Sequence, residues 1–190
     1  MDVRPVLSSA ADSARDWILM KTIFLLRHAK SSWDDTSRDD HDRPLNQRGE
    51  RAAALVGRFL QQEGLIPDLI LCSSAKRTRE TLTLVQAVLG DDHPALIEPD
   101  LYLAAADVLF DRLRKVGEDA ASVMLIGHNP GLEDLATTLI APKATALEDK
   151  LAAKFPTGGL AVIRLPGTRW RDLKRRSGSL ELFVVPRDLV

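Results

Sequence analysis

Three short apolar runs in this chain each end in residues able to hold or attack an anion. Residues 22–26 lead into Arg27-His28 and residues 69–72 into Ser73-Ser74, with Arg77 and Arg79 just beyond. Residues 123–126 lead into Gly127-His128-Asn129-Pro130-Gly131. Two histidines and at least two arginines meeting in one crevice would suit an anion, most simply a phosphoryl group. A neutral imidazole is also a competent nucleophile near pH 7, because its pKa lies close by. Taken singly, each feature is ordinary. A lone arginine after a strand is a solvated surface residue, and a lone histidine is more often structural. Asn129-Pro130 alone marks only a well-made helix start, with Asn129 as a favoured cap. Recurrence at three successive strand ends is what points to a site.

The elements that must position these residues alternate between two periods. Residues 22–26, 69–72 and 123–126 read as buried strands, and 96–98 as a short one. Helices are expected over 47–63, 75–89, 105–116 and 130–140, with Gly64, Gly90 and Gly117 as stops for the first three. Residues 160–165 and 180–185 read as two later strands, separated so as to form a hairpin-like, antiparallel edge. Alternation of strand and helix predicts an α/β fold, a three-layer α/β/α sandwich with a mostly parallel central sheet. In such sheets ligands bind beyond the carboxyl ends of the parallel strands. The loop 34–42 and the basic stretch 169–176 read as solvated, as do His41 and His93. The glycines around His128 do not form a Walker loop, and the four histidines lack zinc spacing.

Composition narrows the function. The 190 residues carry 26 Lys+Arg against 27 Asp+Glu, a formal net charge of −1, which argues against a dedicated nucleic-acid binder. A single cysteine, Cys72, excludes an internal disulfide and a Cys-rich zinc site. No apolar run approaches the roughly 18 residues of a membrane helix. The polar start lacks the features of a signal peptide, so a cytoplasmic location is expected. Residues 1–20 read as an N-terminal extension or a start-site error, and 21–190 as a single domain.

The motifs together resemble the histidine phosphatase superfamily, with its phosphoglycerate-mutase-like fold. Arg27-His28-Ala29 is similar to the family's Arg-His-Gly signature, with alanine in the glycine place. Pro44-Leu45-Asn46-Gln47-Arg48-Gly49 resembles the segment that opens its first helix. Ser73-Ser74-Ala75-Lys76-Arg77-Thr78-Arg79-Glu80-Thr81 resembles its second-arginine element, with Ser74 in place of proline. Gly127-His128-Asn129-Pro130-Gly131 resembles its second-histidine motif. Within the superfamily, Arg27-His28-Ala29-Lys30-Ser31-Ser32-Trp33 looks like the small SixA-type phosphohistidine phosphatases.

The resemblance implies that His28 attacks phosphorus and becomes a transient phosphohistidine. Arg27, Arg77 and His128 would hold the phosphoryl oxygens, with no metal or cofactor required. Larger relatives place a Glu between the second Arg and second His. Glu98 and Asp100 occupy that region here, but their surroundings do not match the pattern. Asp34 lies where mutase relatives have a pocket Asn; it could donate a proton if burial raised its pKa, or merely hydrogen-bond. The expected partner is a phosphorylated protein or a small phosphorylated substrate. The alternatives are a small-metabolite phosphomonoesterase and a non-catalytic phosphate-binding module.

Overall fold

The computed structural model describes residues 20–190 apart from Thr36, Asp91, Asp92 and Thr168. The proposed N-terminal extension lies outside the described residues except for Met20, which opens the first strand. In chain order the elements are β1 (Met20–Arg27), α1 (Gln47–Gln62), β2 (Leu69–Ser73), α2 (Lys76–Leu89), β3 (Ala95–Glu98) and α3 (Ala106–Leu113). They continue with β4 (Ser122–Gly127), α4 (Gly131–Leu139), α5 (Ala146–Ala153), β5 (Leu160–Pro166) and β6 (Ser179–Val184).

One six-stranded sheet runs in the order β3-β2-β4-β1-β5-β6. The first four strands are mutually parallel, β5 runs antiparallel to β1, and β6 antiparallel to β5. The expected antiparallel edge is therefore present, with a bulge between Val162 and Ile163. β1 is apolar on both faces because both are covered. Ile23 and Leu25 pack against Leu113, Leu132, Leu135 and Leu139, from α3 and α4. Phe24 and Leu26 pack against Val56, Leu60, Leu82 and Val85, from α1 and α2. This is the expected three-layer sandwich.

The layers open the crevice. The chain leaves β1 towards α1 on one face and leaves β4 towards α4 on the other. Between two adjacent parallel strands whose connections part in this way, the carboxyl ends are left uncovered. Register then decides what fills the gap. Arg27 pairs with Gly127, so His28 and His128 leave the sheet side by side.

One helix is additional to those expected, and several boundaries shift, most at the third helix. The third helix stops at Leu113, because Lys115 and Val116 bond to the carbonyls three residues back and tighten the last turn. α5 was not foreseen: it is short and buries one side chain, Leu151, so it has little apolar stripe to read. Its local signal is a capping residue, Thr145, whose hydroxyl accepts from the Glu148 N–H at 3.2 Å.

Candidate active site

His28 follows β1 directly and is 7% exposed. Its backbone N–H donates to Gly127 O at 3.0 Å, across the β1–β4 seam. Its ring Nδ1 lies 2.8 Å from Ala29 O. A carbonyl can only accept, so Nδ1 carries the proton and Nε2 keeps its lone pair. The segment is clamped from two sides. Gly158 N–H donates to both Arg27 O and His28 O at 3.1 Å. Thr81 Oγ1 accepts from Ala29 N–H at 3.1 Å and donates to Arg77 O at 2.7 Å, joining the His28 loop to α2.

His128 stands 5.2 Å from His28 between ring centroids. Arg77 Nη2 donates to its Nδ1 at 3.3 Å. Its Nε2 therefore bears the proton and donates to Ser73 Oγ at 2.8 Å. Burial lowers the His28 pKa from the usual 6.5 to about 4; Ala29 O opposes this, and Arg77, Arg27 and Arg43 reinforce it. Burial, His28 and Arg77 lower His128 to about 3, against the attraction of Asp40. Both rings are thus neutral at neutral pH.

Arg27 Nη1 donates to Phe155 O at 2.8 Å. Its Nε is buried without a partner among the described residues, a donor that an oxyanion would satisfy. Arg77 is 3% exposed, whereas Arg79 points to solvent. Arg27, His28, Arg77 and His128, together with Arg43, line a cleft of about 360 Å3. It can hold a tetrahedral anion among three guanidiniums and two imidazoles.

Arg43 and Asp40 were not foreseen as site residues. Arg43 is 7% exposed and donates to Ser31 Oγ at 2.6 Å, Ser32 O at 3.0 Å and Asp40 Oδ1 at 2.7 Å. Asp40 Oδ2 accepts from Arg77 Nη2 at 2.9 Å and from the Tyr102 hydroxyl at 2.7 Å. Partial burial works against its charge, but Tyr102, Arg43 and Arg77 prevail and hold it near pKa 2. The loop 34–42 is thus not uniformly solvated: Asp40 turns into the cleft. The available sequence signal was an acid–base pair three residues apart, Asp40 and Arg43.

Asp34 is not brought to the cleft. It is exposed, and its carboxylate accepts from Ser32 Oγ at 2.7 Å. Glu98 is held by the fork of Arg112 at 2.6 and 2.7 Å, and Asp100 is exposed. His41 is half-buried and bonded to Ser74 Oγ at 2.9 Å, not solvated as expected. Asn129 does not cap α4. Pro130 holds the cap position, and Asn129 Nδ2 donates to Glu133 at 2.7 Å and Phe155 O at 3.0 Å. Two glycines permit close approach. A Cβ on Gly49 would sit 2.1 Å from Lys30 O, and one on Gly131 would sit 2.0 Å from Ala104 O.

The histidine phosphatase superfamily (branch 1) matches residues 23–102, which include His28 and Arg77. An uncharacterized protein of Mycobacterium tuberculosis (strain CDC 1551 / Oshkosh) is 38% identical over 164 residues, 85% of this chain and 100% of that one. A candidate phosphohistidine phosphatase SixA from Nakamurella multipartitia superposes with a TM-score of 0.77 at 29% identity, over 88% of this chain and 96% of that one. A second candidate, from Agrobacterium tumefaciens, gives a TM-score of 0.70 at 30% identity, over 87% of this chain and 98% of that one. No helix among the described residues is long and apolar enough to cross a membrane. By sequence and by fold, the chain belongs to the histidine phosphatase superfamily, in its SixA-type group, and is a phosphatase.

Proposed function

We propose that the protein hydrolyses phosphohistidine on another protein, through a phosphohistidine formed on its own His28. His28 Nε2 attacks phosphorus in line; the new P–N bond forms as the bond to the substrate's imidazole nitrogen breaks. Arg27, Arg77 and Arg43 hold the phosphoryl oxygens and neutralise the charge that develops on them, while the neutral His128 ring accepts from Arg77 and orients its guanidinium. Water then attacks the phosphorylated His28, releasing phosphate and restoring the ring. The positive charge comes from the guanidiniums, so the scheme needs no metal.

One observation carries the choice of substrate. Among the described residues lining the cleft, the single carboxyl group is Asp40, held ionised by its three donors. It has no proton to give to a leaving group at neutral pH. An alkoxide leaves at high cost without one, whereas the imidazole of phosphohistidine leaves neutral once its ring is protonated. General-acid assistance is worth about 10²–10⁴-fold, so phosphohistidine and aryl phosphates should exceed alkyl phosphates in kcat/KM by at least about 10². Steady-state rates on the three substrate types test this. Equal rates on alkyl phosphates and phosphohistidine would overturn the reading and favour a metabolite phosphatase.

A pH profile is a second check. Protonating His28 Nε2 removes the attacking lone pair, so kcat/KM should hold on the acid side until pH approaches about 4 and fall below it. Stability should move over a wider window. The unfolded histidines take up protons near 6.5, while the folded rings resist until about 4 and about 3. The stabilisation from these two neutral rings is full above 6.5 and is lost as pH falls through the folded values. Thermal melts between pH 7 and 3, with His28→Asn as comparison, would show whether that loss occurs.

A further inference from the structure

A second cavity, of about 530 Å3, opens beside the cleft and shares Arg27, Lys30 and Thr157 with it. Six of its lining residues are cationic: Arg27, Lys30, Arg48, Lys150, Lys154 and Arg187, with no Asp or Glu in the lining. They come from four places in the fold: the end of β1, the first turn of α1, the end of α5 and the turn after β6. The whole chain carries a net charge of −1, so this is a local concentration of positive charge. Asp188 contacts two of the six, at 2.6 Å from Lys150 and 3.7 Å from Arg187. The side chains of Lys30, Arg48 and Lys154 have no hydrogen-bond or ion-pair partner among the described residues.

The cavity is not purely electrostatic. Phe183, Pro186 and Ala52 supply apolar wall between the cations. Its volume lies in the range of pockets that enclose an organic ligand, well beyond one inorganic ion. Dispersed cations over apolar wall suit a short stretch of chain in which carboxylates alternate with aliphatic groups. Continuity with the cleft through Arg27 and Lys30 places that stretch next to the phosphorylated residue.

Resting on the reading of the chain as a phosphohistidine phosphatase, we propose that this basic cavity docks an acidic segment flanking the phosphohistidine of the substrate protein. The shared residue Arg27 then meets the phosphoryl group on one side while the cavity holds the flanking carboxylates on the other. Selection among phosphoproteins would come from the cavity, and the chemistry from the cleft.

Two phosphohistidine peptides test this, one with Asp and Glu beside the phosphohistidine and one with Asn and Gln in their places. The acidic peptide should show a KM lower by about tenfold or more, as expected for two or three exposed charge pairs, and the gap should shrink at high salt. In the double variant Arg48→Glu, Lys154→Glu the gap should vanish or invert. Equal KM values for both peptides on the wild type would overturn the docking proposal while leaving the phosphohistidine reading intact. The wild-type comparison needs no variant to fold. Turnover of neither peptide, with aryl phosphates still cleaved, would instead overturn the phosphohistidine reading. A small bisphosphorylated compound turned over faster than either peptide, with a rate lost in the double variant, would make the cavity a small-molecule subsite and overturn the proposal.

Discussion

Replacing His28 with alanine should cut turnover by on the order of 10⁴-fold or more, the scale seen when the attacking group itself is removed. Neither the second ring nor the guanidiniums of the cleft can substitute. The His128 ring uses its Nε2 proton on Ser73, and its Nδ1 accepts from Arg77. The arginines are protonated and have no lone pair to offer. The fold should survive, because the His28 ring bonds only to the carbonyl of the next residue, and the clamps from Gly158 and Thr81 act on backbone. Rapid quench under neutral or alkaline conditions, which preserve a P–N bond, should recover radiolabelled phosphate on His28 of the wild type. A wild-type intermediate at another residue, or substantial activity in the alanine variant with an unchanged melt, would end the covalent scheme.

Arg77→Ala should lower kcat by about 10²–10³, the cost of removing one preorganised donor to the transition-state charge. Arg77 is buried and reaches Asp40 and His128 together, so its truncation also leaves the Asp40 carboxylate short of a cation. Arg77→Lys should recover little, since an ammonium cannot serve several acceptors with a planar fork. Arg79→Ala is the control. Two residues further along α2 it turns about 200° around the axis and faces solvent, so its loss should leave kcat near the wild-type value. A crippling Arg79→Ala beside a mild Arg77→Ala would move the phosphate-binding role by two residues.

The strand ends and the residues they carry can be read from local sequence alone. Buried parallel strands are continuous apolar runs, so the polar residues that interrupt them mark the points where the chain leaves the sheet. Arg27-His28, Ser73 and Gly127-His128 were legible for that reason, and so was Arg77, in the first turn of α2. The helix start at Gln47 rests on local chemistry, since the Asn46 side chain accepts from Gly49 N–H at 2.9 Å.

The partners across the sheet were decided only in three dimensions. Nothing local says that Arg27 pairs with Gly127, yet that register places the two imidazoles 5.2 Å apart. The same holds for the acidic loop. Asp34 and Asp40 are both aspartates in one polar stretch, and no local pattern ranks one above the other. Contacts from Arg77, 37 residues on, and Tyr102, 62 residues on, select Asp40 and leave Asp34 in solvent. The basic cavity beside the cleft draws its cations from positions between 27 and 187 and has no motif of its own. Periodicity and capping depend on neighbours within a turn or two of chain, and are therefore visible in sequence. A site built by strand register and layer packing depends on which distant segments meet, and that is settled by the burial of the whole sheet.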